Sequence, residues 1–334
     1  MANPRYRQAR YAARGPVPQD VIEAVAFTPP ALQPGQVLVE VLAAPINPSD
    51  VLTLTGDYGS LPPLPAVGGN EGVGRVLELA ADVDGLAIGQ AVLLPVGSGT
   101  WTTHLVAEAN ALVPLPEGAD PLQLSMLTVN PPTAHLLLSE FVTLQAGDWV
   151  IQNAANSGVG GYLVQLAKAR GVRTVNVVRR ASALASVQAL GADVVLVDGD
   201  DLPARVREAT SDASVLLAID AVAGQSTARL AQTVVAGGTL VTYGAMSGED
   251  CAIPPAALIF RGVTLRGFWL AHWFKTSAPR TRAALFGELV ALVAAGQLSA
   301  RVQATYGIDR IKDAVAAAAA GERDGKILVL PNED

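Results

Sequence analysis

The segment Asn153–Gly161, NAANSGVGG, has the composition of a loop that can closely approach a phosphate group. It follows a short apolar run, Trp149–Gln152, and opens a stretch with helical apolar spacing, Val159–Arg170. A helix N-terminus at this place offers unpaired N–H groups and partial positive charge to a pyrophosphate. Ala155 and Ser157 stand where the GxGxxG fingerprint has its first two glycines, so the assignment depends on the strand–loop–helix context. The pattern predicts a dinucleotide-binding loop.

A pair of arginines, Arg179 and Arg180, ends the next predicted strand, Thr174–Val178. Sites that select NAD place an acid near this position to bind the ribose 2′-hydroxyl. Two guanidinium groups suit a 2′-phosphate instead, by charge and by bidentate geometry. The alternative is a solvated pair at a helix start, although cations are mildly unfavourable there. The sequence therefore predicts NADPH as the cofactor.

A single tyrosine, Tyr58, lies in an irregular segment, Gly56–Val76, between a rigid and a permissive half. Three prolines follow it within a few residues, and each fixes φ and removes a donor. Four glycines and one acid, Glu71, fill the second half. The residues alone leave two interpretations open. Tyr58 is either a phenol held in place as a proton donor or a partly buried tyrosine with a satisfied hydroxyl.

Composition excludes several classes of protein. The chain has 334 residues, of which 50% are apolar and 16% are charged, and its net charge is −7. These values favour a well-buried enzyme of two domains over a disordered chain. A nucleic-acid partner would call for a basic patch, and no apolar run is long enough for a membrane span. Four arginines within the first 14 residues are compatible with a transit peptide, but the apolar pattern resumes at Val21, and we expect no leader.

Cysteine and histidine usage argues against a metal centre. Cys251 is the one cysteine, and the three histidines are far apart in the sequence. A zinc site of Cys/His type is therefore not expected, and no disulfide can form within the chain. We accordingly predict a cytoplasmic location. Cys251 could act as a nucleophile, but the preceding Glu249 and Asp250 would raise the pKa of its thiol.

The order of predicted elements indicates two domains. Strand patterns at 36–43, 72–79 and 91–95 with dense Pro/Gly punctuation indicate a mostly-β domain. From residue 130, strands at 149–152, 174–178, 194–197, 215–219, 239–242 and 263–268 alternate with helices, which is typical of a doubly wound parallel sheet. The tail after Trp273 most simply returns to the first domain. We predict a catalytic domain of residues 1–129 and 272–334 and a Rossmann domain of residues 130–271.

Taken together, these segments resemble a known family, the zinc-free medium-chain dehydrogenase/reductases, and within it the 2-enoyl thioester reductases of fatty-acid synthesis. The similar segments are PINPSD (45–50), GDYGSLPPLPAVGGNEGVG (56–74), GTW (99–101), VNPPTAHLLL (129–138), GDWVIQNAANSGVGG (147–161), RTVNVVRR (173–180), LVTYGAMS (240–247) and LRGFWLAHW (265–273). They are spread over most of the chain. The resemblance implies a GroES-like mostly-β catalytic domain, a Rossmann domain and a homodimer.

The resemblance also implies roles for individual residues. Tyr58 would be the proton donor, and Asn70–Glu71 would brace its loop. In zinc-dependent relatives the regions of Asn47 and Asn70 carry a cysteine and a histidine that bind the metal, and the asparagines imply that no metal is needed. The residues implied to bind the cofactor are Asn130, Asn156, Ser157, Gly158, Val159, Arg179, Arg180, Tyr243, Gly244, Ala245, Met246, Phe268, Trp269, Leu270 and Lys326.

The implied reaction is reduction of the 2,3 double bond of a trans-2-enoyl thioester, carried by CoA or by acyl carrier protein, with NADPH. Three alternatives remain at this point. The chain could instead reduce quinones or enones, it could bind NADPH without turnover, and Phe268 and Trp269 could be ordinary core aromatics. One departure from the family pattern is Ala181 after Arg180, where a further charged pair is common. This departure would soften the preference for NADPH.

Overall fold

The computed structural model describes residues 6–321 and 323–333, and the chain forms two compact units. One unit comprises Met1–Val129 and Gly287–Asp334, and the other comprises Asn130–Phe286. The first boundary coincides with the predicted one. The second lies after Phe286, whereas the predicted boundary lies after Ala271. The rings of Phe274 and Phe286 stack with centroids 5.9 Å apart.

The first unit, unit 1, is mostly β. Its strands are β1 Arg7–Tyr11, β2 Ile22–Ala26, β3 Gln36–Ile46, β4 Ala66–Val67, β5 Val73–Leu79, β6 Ala91–Leu93, β7 His104–Glu108, β8 Val113–Pro114, β15 Val302–Tyr306 and β16 Lys326–Val329. Its helices are α1 Pro18–Val21, α2 Pro48–Thr55, α3 Pro121–Leu124 and α12 Ile311–Ala319, with 3₁₀ turns at Ala109–Ala111 and Ile308–Arg310. α11, Pro279–Ala294, runs through the boundary between the units.

The long strand β3 organises this unit. Its first half alternates as the sequence predicts, with Val37, Val39 and Val41 fully buried. β3 pairs with β5, β7 and β16, all antiparallel, so that the C-terminal strand closes the sheet begun by the N-terminal third. The return of the tail to the first domain follows from this pairing.

Helix α2 carries the chain from β3 to Tyr58. Asn47 caps its N-terminus in a capping box with Asp50, and Pro48 occupies its first turn, where no N–H is needed. Gly56 ends the helix in the left-handed conformation, φ 95°, which favours glycine. The sequence analysis did not identify this helix, because eight residues are too few for a clear apolar period.

The second unit, unit 2, contains the parallel sheet. Its strands are β9 Trp149–Gln152, β10 Arg173–Val178, β11 Val194–Val197, β12 Val215–Asp220, β13 Val234–Thr242 and β14 Thr264–Gly267. Its helices are α4 Asn130–Leu137, α5 Gly158–Ala169, α6 Leu184–Ala189, α7 Leu202–Thr210, α8 Gly224–Thr233, α9 Pro255–Ile259 and α10 Leu270–Thr276, with a 3₁₀ turn at Ala181–Ala183. β13 begins five residues before the predicted strand, because the glycines at 237 and 238 obscure its apolar pattern.

All six strands of unit 2 are parallel, in the order β11-β10-β9-β12-β13-β14. The strand β9 comes first in the chain but lies between β10 and β12, so the order reverses beside it. In doubly wound sheets, ligands bind outside the carboxyl ends of the strands at such a switch point. The loop after Gln152 therefore starts at the place where a dinucleotide is expected. The predicted fold class is confirmed.

Among the described residues, no helix combines the length and the apolarity that crossing a membrane requires.

Candidate functional site

In unit 2, the loop after β9 forms a cradle at the start of α5. Ser157 caps the helix by accepting a hydrogen bond from the N–H of Gly160, 3.1 Å. A Cβ atom at Gly160 would lie 2.6 Å from the carbonyl oxygen of Ala155, so only glycine fits there. Ala154 has a φ of 46°, which a residue other than glycine adopts rarely. The loop is therefore bent tightly back toward the helix start.

The predicted residues of this loop differ in exposure. Asn156 is exposed, Ser157 and Gly158 are half-buried, and Val159 is buried. Asn130, at the start of α4, lies against the same helix end. A Cβ atom at Gly158 would lie 3.0 Å from the side-chain nitrogen of Asn130. The structure thus brings Asn130 and the loop together, and the role of Asn130 toward the cofactor stays a prediction.

The two arginines lie at the carboxyl end of β10, directly after Val178. Arg179 is exposed and Arg180 is half-buried. Arg179 makes no hydrogen bond or ion pair with any residue that the structure describes. Its guanidinium group is therefore available to an anion.

The carboxyl end of β12 is held by a buried pair that the sequence analysis missed, Asn153 and Asp220. The amide of Asn153 donates to Oδ1 of Asp220 at 2.6 Å and accepts from the N–H of Ala221 at 2.7 Å. Asp220 also accepts from the N–H groups of Val222 and Ala223. An aspartate at a strand end just before Ala–Val–Ala–Gly was the available sequence signal.

The segment Tyr243–Met246 lies next to this pair. The N–H of Tyr243 donates to the carbonyl of Asp220, and the N–H of Met246 donates to that of Ala221. Burial raises the pKa of the Tyr243 hydroxyl, although a hydrogen bond with Ser157 opposes the shift. Between them, Gly244 and Ala245 are half-buried, whereas Met246 is exposed. The structure therefore places Tyr243 beside the predicted phosphate loop.

The aromatic segment Phe268–Leu270 follows β14. The N–H of Phe268 donates to the carbonyl of Thr242, and its ring packs edge-on against Phe141. Trp269 is 41% exposed, with the ammonium of Lys275 5.9 Å from its ring centroid. Phe268 thus has a packing role, whereas the exposure of Trp269 is unusual for a core aromatic.

The residues at this edge of the sheet fit a phosphorylated dinucleotide. α5 has 12 residues and presents its N-terminus to a loop in which a Cβ atom at Gly160 would clash with the backbone. The positive end of this helix suits a pyrophosphate, and Arg179 suits a further phosphate. We therefore consider NADPH compatible with the residues present.

In unit 1, Tyr58 lines a cavity of about 240 Å³ together with Tyr11, Asp50 and Asn70. The N–H of Tyr58 donates to the carbonyl of Leu52, which ties it to the end of α2. The Tyr58 side chain is half-buried. It therefore combines a fixed backbone with access to a cavity.

A buried polar cluster, which we define as Asn47, Asp50, Asn70, Glu71 and Lys326, adjoins this cavity. The Asn47 amide donates to Oε1 of Glu71 at 2.7 Å, and the Asn70 amide donates to Oδ1 of Asp50 at 2.7 Å. The ammonium of Lys326 donates to the side-chain oxygen of Asn47. These contacts join the start of α2, the loop before β5 and the start of β16.

Glu71 also binds the last two residues of the first segment of unit 1, which ends at Val129. Its Oε2 accepts from the N–H and the hydroxyl of Thr128, both at 3.0 Å, and from the N–H of Val129 at 2.9 Å. The carboxylate thus has donors on both oxygens. This geometry agrees with a bracing role for Asn70–Glu71.

The charges of the buried polar cluster are strongly perturbed. Burial raises the pKa of Asp50 to about 7. The hydrogen bond from the N–H of Asn47 opposes this rise, and the negative charge of Glu71 adds to it. Burial also raises the pKa of Glu71, against the opposing effect of Lys326. Burial lowers the pKa of Lys326 to about 8, although both carboxylates oppose this shift. Two buried carboxyl groups therefore lie beside one buried ammonium group.

Lys326 was predicted to bind the cofactor. The structure places its side chain inside the buried polar cluster, only 7% exposed, and bonded to Asn47. Its role toward the cofactor stays a prediction. No local sequence pattern indicates this burial, because Lys326 is separated from Asn47 by 279 positions.

No group of three or more His, Cys, Asp or Glu side chains with the geometry of a metal site occurs within residues 6–321 and 323–333. Asn47 and Asn70 instead bond to carboxylates.

Two domain families match the chain. The alcohol dehydrogenase GroES-like domain matches residues 33–117, and the zinc-binding dehydrogenase family matches residues 158–287. The match to the family named for zinc covers residues of unit 2, which contains the six-stranded parallel sheet.

Curated relatives match over most of the chain. It is 40% identical over 289 residues to the mitochondrial enoyl-[acyl-carrier-protein] reductase of Rattus norvegicus, covering 85% of this chain and 78% of the relative. It is 39% identical over 302 residues to that of Homo sapiens, covering 89% and 81%.

Solved structures agree. The Etr1p/NADP/crotonyl-CoA complex matches with a TM-score of 0.88 and 27% identity, covering 97% of this chain and 99% of that one. The mitochondrial 2-enoyl thioester reductase Etr1p/Etr2p heterodimer from Candida tropicalis matches with 0.88 and 28%, at the same coverage. A protein from Bacillus thuringiensis named as an NADPH:quinone reductase matches with 0.89 and 30%, covering 97% and 98%.

These relatives correct one prediction. The cytoplasmic location is wrong, since the curated relatives from animals, slime mould and plant are mitochondrial proteins. The single cysteine that suggested it excludes a disulfide within the chain but does not distinguish one reducing compartment from another.

The profiles and the extent of identity together confirm the resemblance seen in the sequence: the chain belongs to the medium-chain dehydrogenase/reductases, in the branch of the 2-enoyl thioester reductases.

Proposed function

We propose that this protein reduces the 2,3 double bond of a trans-2-enoyl thioester to the saturated acyl thioester. The observation that carries the proposal is the identity of about 40% with enoyl-[acyl-carrier-protein] reductases over most of both chains. The phosphate cradle of unit 2 and the tyrosine cavity of unit 1 supply the two functions that the reaction needs. The protein is thus an NADPH-dependent oxidoreductase.

The chain's own residues divide the work. NADPH, when bound, supplies the hydride that adds to Cβ of the substrate. The N-terminus of α5 and Ser157 hold the pyrophosphate, and Arg179 and Arg180 hold the 2′-phosphate. Tyr58 donates its phenol proton to Cα, directly or through water. The buried polar cluster fixes the helix from which Tyr58 extends.

The carrier of the acyl group is an acyl carrier protein in this proposal. The curated relatives are named for that substrate. The stretch 252–287 holds five Arg or Lys and no Asp or Glu, in a chain whose net charge is −7. Arg266, Lys275 and Arg280 are exposed on it. A cationic surface of this kind favours encounter with an acidic carrier.

The protein acts as a homodimer in this proposal. Unit 2 exposes consecutive apolar side chains at the end of α9, where Ile259 is 70% and Phe260 is 83% exposed. Among the described residues, the neighbouring strand β14 is the last of its sheet, and no other strand pairs with its outer edge. An apolar patch beside an unpaired edge is a suitable surface for a second copy of the chain.

A second candidate is reduction of quinones, because the similar structure from Bacillus thuringiensis is named for that activity. The hydride chemistry is the same, but no thioester handle is needed. The cationic stretch 252–287 favours a substrate on a charged carrier.

The test is NADPH oxidation with a panel of acceptors: crotonyl-CoA, a longer enoyl-CoA, an enoyl-acyl carrier protein and a small quinone. We expect turnover of the thioesters, highest with the carrier protein, and little turnover of the quinone. Equal or faster turnover of the quinone would favour the second candidate. NADPH binding without oxidation by any acceptor would identify a non-catalytic binding protein.

A further inference from the structure

The carboxyl end of β11 places an acid beside the predicted phosphate site. Strands β10 and β11 pair in parallel, with Val178 opposite Val197. The N–H of Asp198 then donates to the carbonyl of Val178 at 2.8 Å. Asp198 is therefore next to Arg179 on the adjacent strand, and the backbones of neighbouring strands are about 5 Å apart. A carboxylate at this distance would compete with a phosphate for the guanidinium group.

Asp198 does not pair with Arg179, because Arg229 on α8 holds it. Nε of Arg229 lies 2.7 Å from Oδ1 of Asp198, and Nη2 lies 2.7 Å from Oδ2. The hydroxyl of Ser226 donates to Oδ2 at 3.1 Å. Both side chains of the pair are only 20% exposed. This is the fork-to-fork geometry in which an arginine engages both carboxylate oxygens.

The pair keeps Asp198 ionised. Burial alone would raise the pKa of Asp198, but the hydrogen bonds and charge of Arg229 outweigh it and hold the pKa below its usual value. The negative charge is thus present at neutral pH and is compensated by a neighbour. If Arg229 were lost, that charge would act on the nearest remaining cations.

The consequence is visible at Arg179. It is exposed and makes no hydrogen bond or ion pair with the residues described, although an acid lies on the adjacent strand. We infer that Arg229 is a positioning residue for cofactor specificity: by binding Asp198, it leaves Arg179 available to the 2′-phosphate of NADPH. This inference rests on the proposed function, which assigns Arg179 and Arg180 to that phosphate.

Two other acids lie near this edge, and both are more exposed than Asp198. Asp200 lies 3.6 Å from Nη1 of Arg229, but its side chain is fully exposed and its charge is screened by solvent. Asp201 pairs with Arg205 at 2.7 Å, and its side chain is 69% exposed. The pair of Asp201 and Arg205 therefore serves as the control. Arg205 lies on α7 and also donates to the carbonyl of Val197 at 2.8 Å, so it contacts the end of β11 without contacting Asp198.

The test measures binding of NADPH and NADH to the apoprotein by fluorescence, so that no turnover is required. For Arg229→Gln we expect the Kd for NADPH to rise roughly tenfold, the loss of about one charge-assisted hydrogen bond. The Kd for NADH should change by less than about twofold, since NADH lacks the 2′-phosphate. Arg205→Gln should leave the ratio of the two Kd values unchanged.

A second variant separates charge from folding. Adding Asp198→Asn to Arg229→Gln removes the unmasked carboxylate and should restore the NADPH preference, while thermal unfolding reports any loss of structure. Asp198→Asn alone should not raise the Kd for NADPH. Equal weakening of both cofactors, or failure of the double variant to restore the preference, would overturn the inference.

Arg179→Ala distinguishes failure of the inference from failure of the proposed function. If Arg179→Ala weakens NADPH but Arg229→Gln does not, the phosphate site stands and the role of Arg229 is refuted. If Arg179→Ala leaves NADPH affinity intact, the assigned phosphate site is wrong, and the inference is overturned with it.

Discussion

The side-chain amide of Asn47 lies 2.7 Å from Oε1 of Glu71, and its oxygen accepts from the ammonium of Lys326. One neutral amide thereby connects a buried anion to a buried cation. Where zinc-dependent relatives are expected to carry a metal ligand, this chain has the central residue of a hydrogen-bonded network. The helix that leads to Tyr58 starts at this residue.

The first prediction concerns this amide. Asn47→Leu removes the helix cap and leaves the Glu71 carboxylate and the Lys326 ammonium each without one partner. Breaking such a buried network should lower the free energy of unfolding by about 3 kcal/mol or more. Urea denaturation measures the change. The exposed Asn110→Leu is the matched control and should shift stability by less than about 0.5 kcal/mol.

The second prediction is a pH dependence of stability. The pKa of Asp50 is about 7 in the folded protein, above its ordinary value, so the folded state binds this proton more tightly than the unfolded state. The associated stability is fully present below pH 4 and is lost as the pH rises to about 7, by up to about 4 kcal/mol.

The measurement compares the wild type with Asp50→Asn between pH 4 and pH 8. The stability of the variant relative to the wild type should rise with pH up to about 7 and then stay constant. A difference that does not vary with pH would show that Asp50 is not buried in its neutral form. Glu71, whose pKa is also raised, remains in both proteins, and because its charge interacts with that of Asp50 the comparison measures the titration of the coupled pair.

The third prediction concerns the arginine pair. Replacing Arg179 and Arg180 by alanine should raise the Kd for NADPH at least about tenfold, because two charge-assisted contacts are lost. The Kd for NADH should change little. Arg173→Ala, at the other end of the same strand, is the control. An equal loss of affinity for both cofactors would show that the two arginines are ordinary surface charges.

The fourth prediction is that Tyr58→Phe lowers kcat and kcat/KM for an enoyl thioester by about 10²-fold and leaves NADPH affinity unchanged. The ring is kept, so packing around the proline-rich loop should hold, and only the proton donor is lost. Tyr306→Phe, a half-buried tyrosine on β15, should retain full activity. A rise in KM alone would make Tyr58 a residue that positions the substrate, and no change would leave it a structural tyrosine.

The fifth prediction concerns assembly. Phe260→Asp places a charge in the exposed apolar patch and should convert the proposed homodimer to a monomer in sedimentation or light-scattering measurements. The fold should persist, because the side chain is 83% exposed. Ile88→Asp, a 69% exposed apolar residue of unit 1, is the control. If the wild type is already a monomer, the patch serves another purpose.

The sequence by itself determined the alternation of strands and helices from residue 149, the position of the phosphate loop and the arginine pair after β10. These features are local: a period of two or 3.6 residues, a glycine-bearing turn after an apolar strand and charge at a strand end are all encoded within a few residues. The similarity of short segments to a family extended this to the reaction.

The tertiary structure decided which distant residues share one environment. The burial of Lys326 beside Asn47 and Glu71 depends on the pairing of β16 with β3 across most of the chain, and no local pattern reports such a pairing. The same holds for the hydrogen bonds of Asn153 with Asp220 and of Arg229 with Asp198. From the sequence alone a charged residue is expected to be exposed, because a distant partner cannot be identified there. The fold brings that partner into contact, and the contact makes burial of the charge possible.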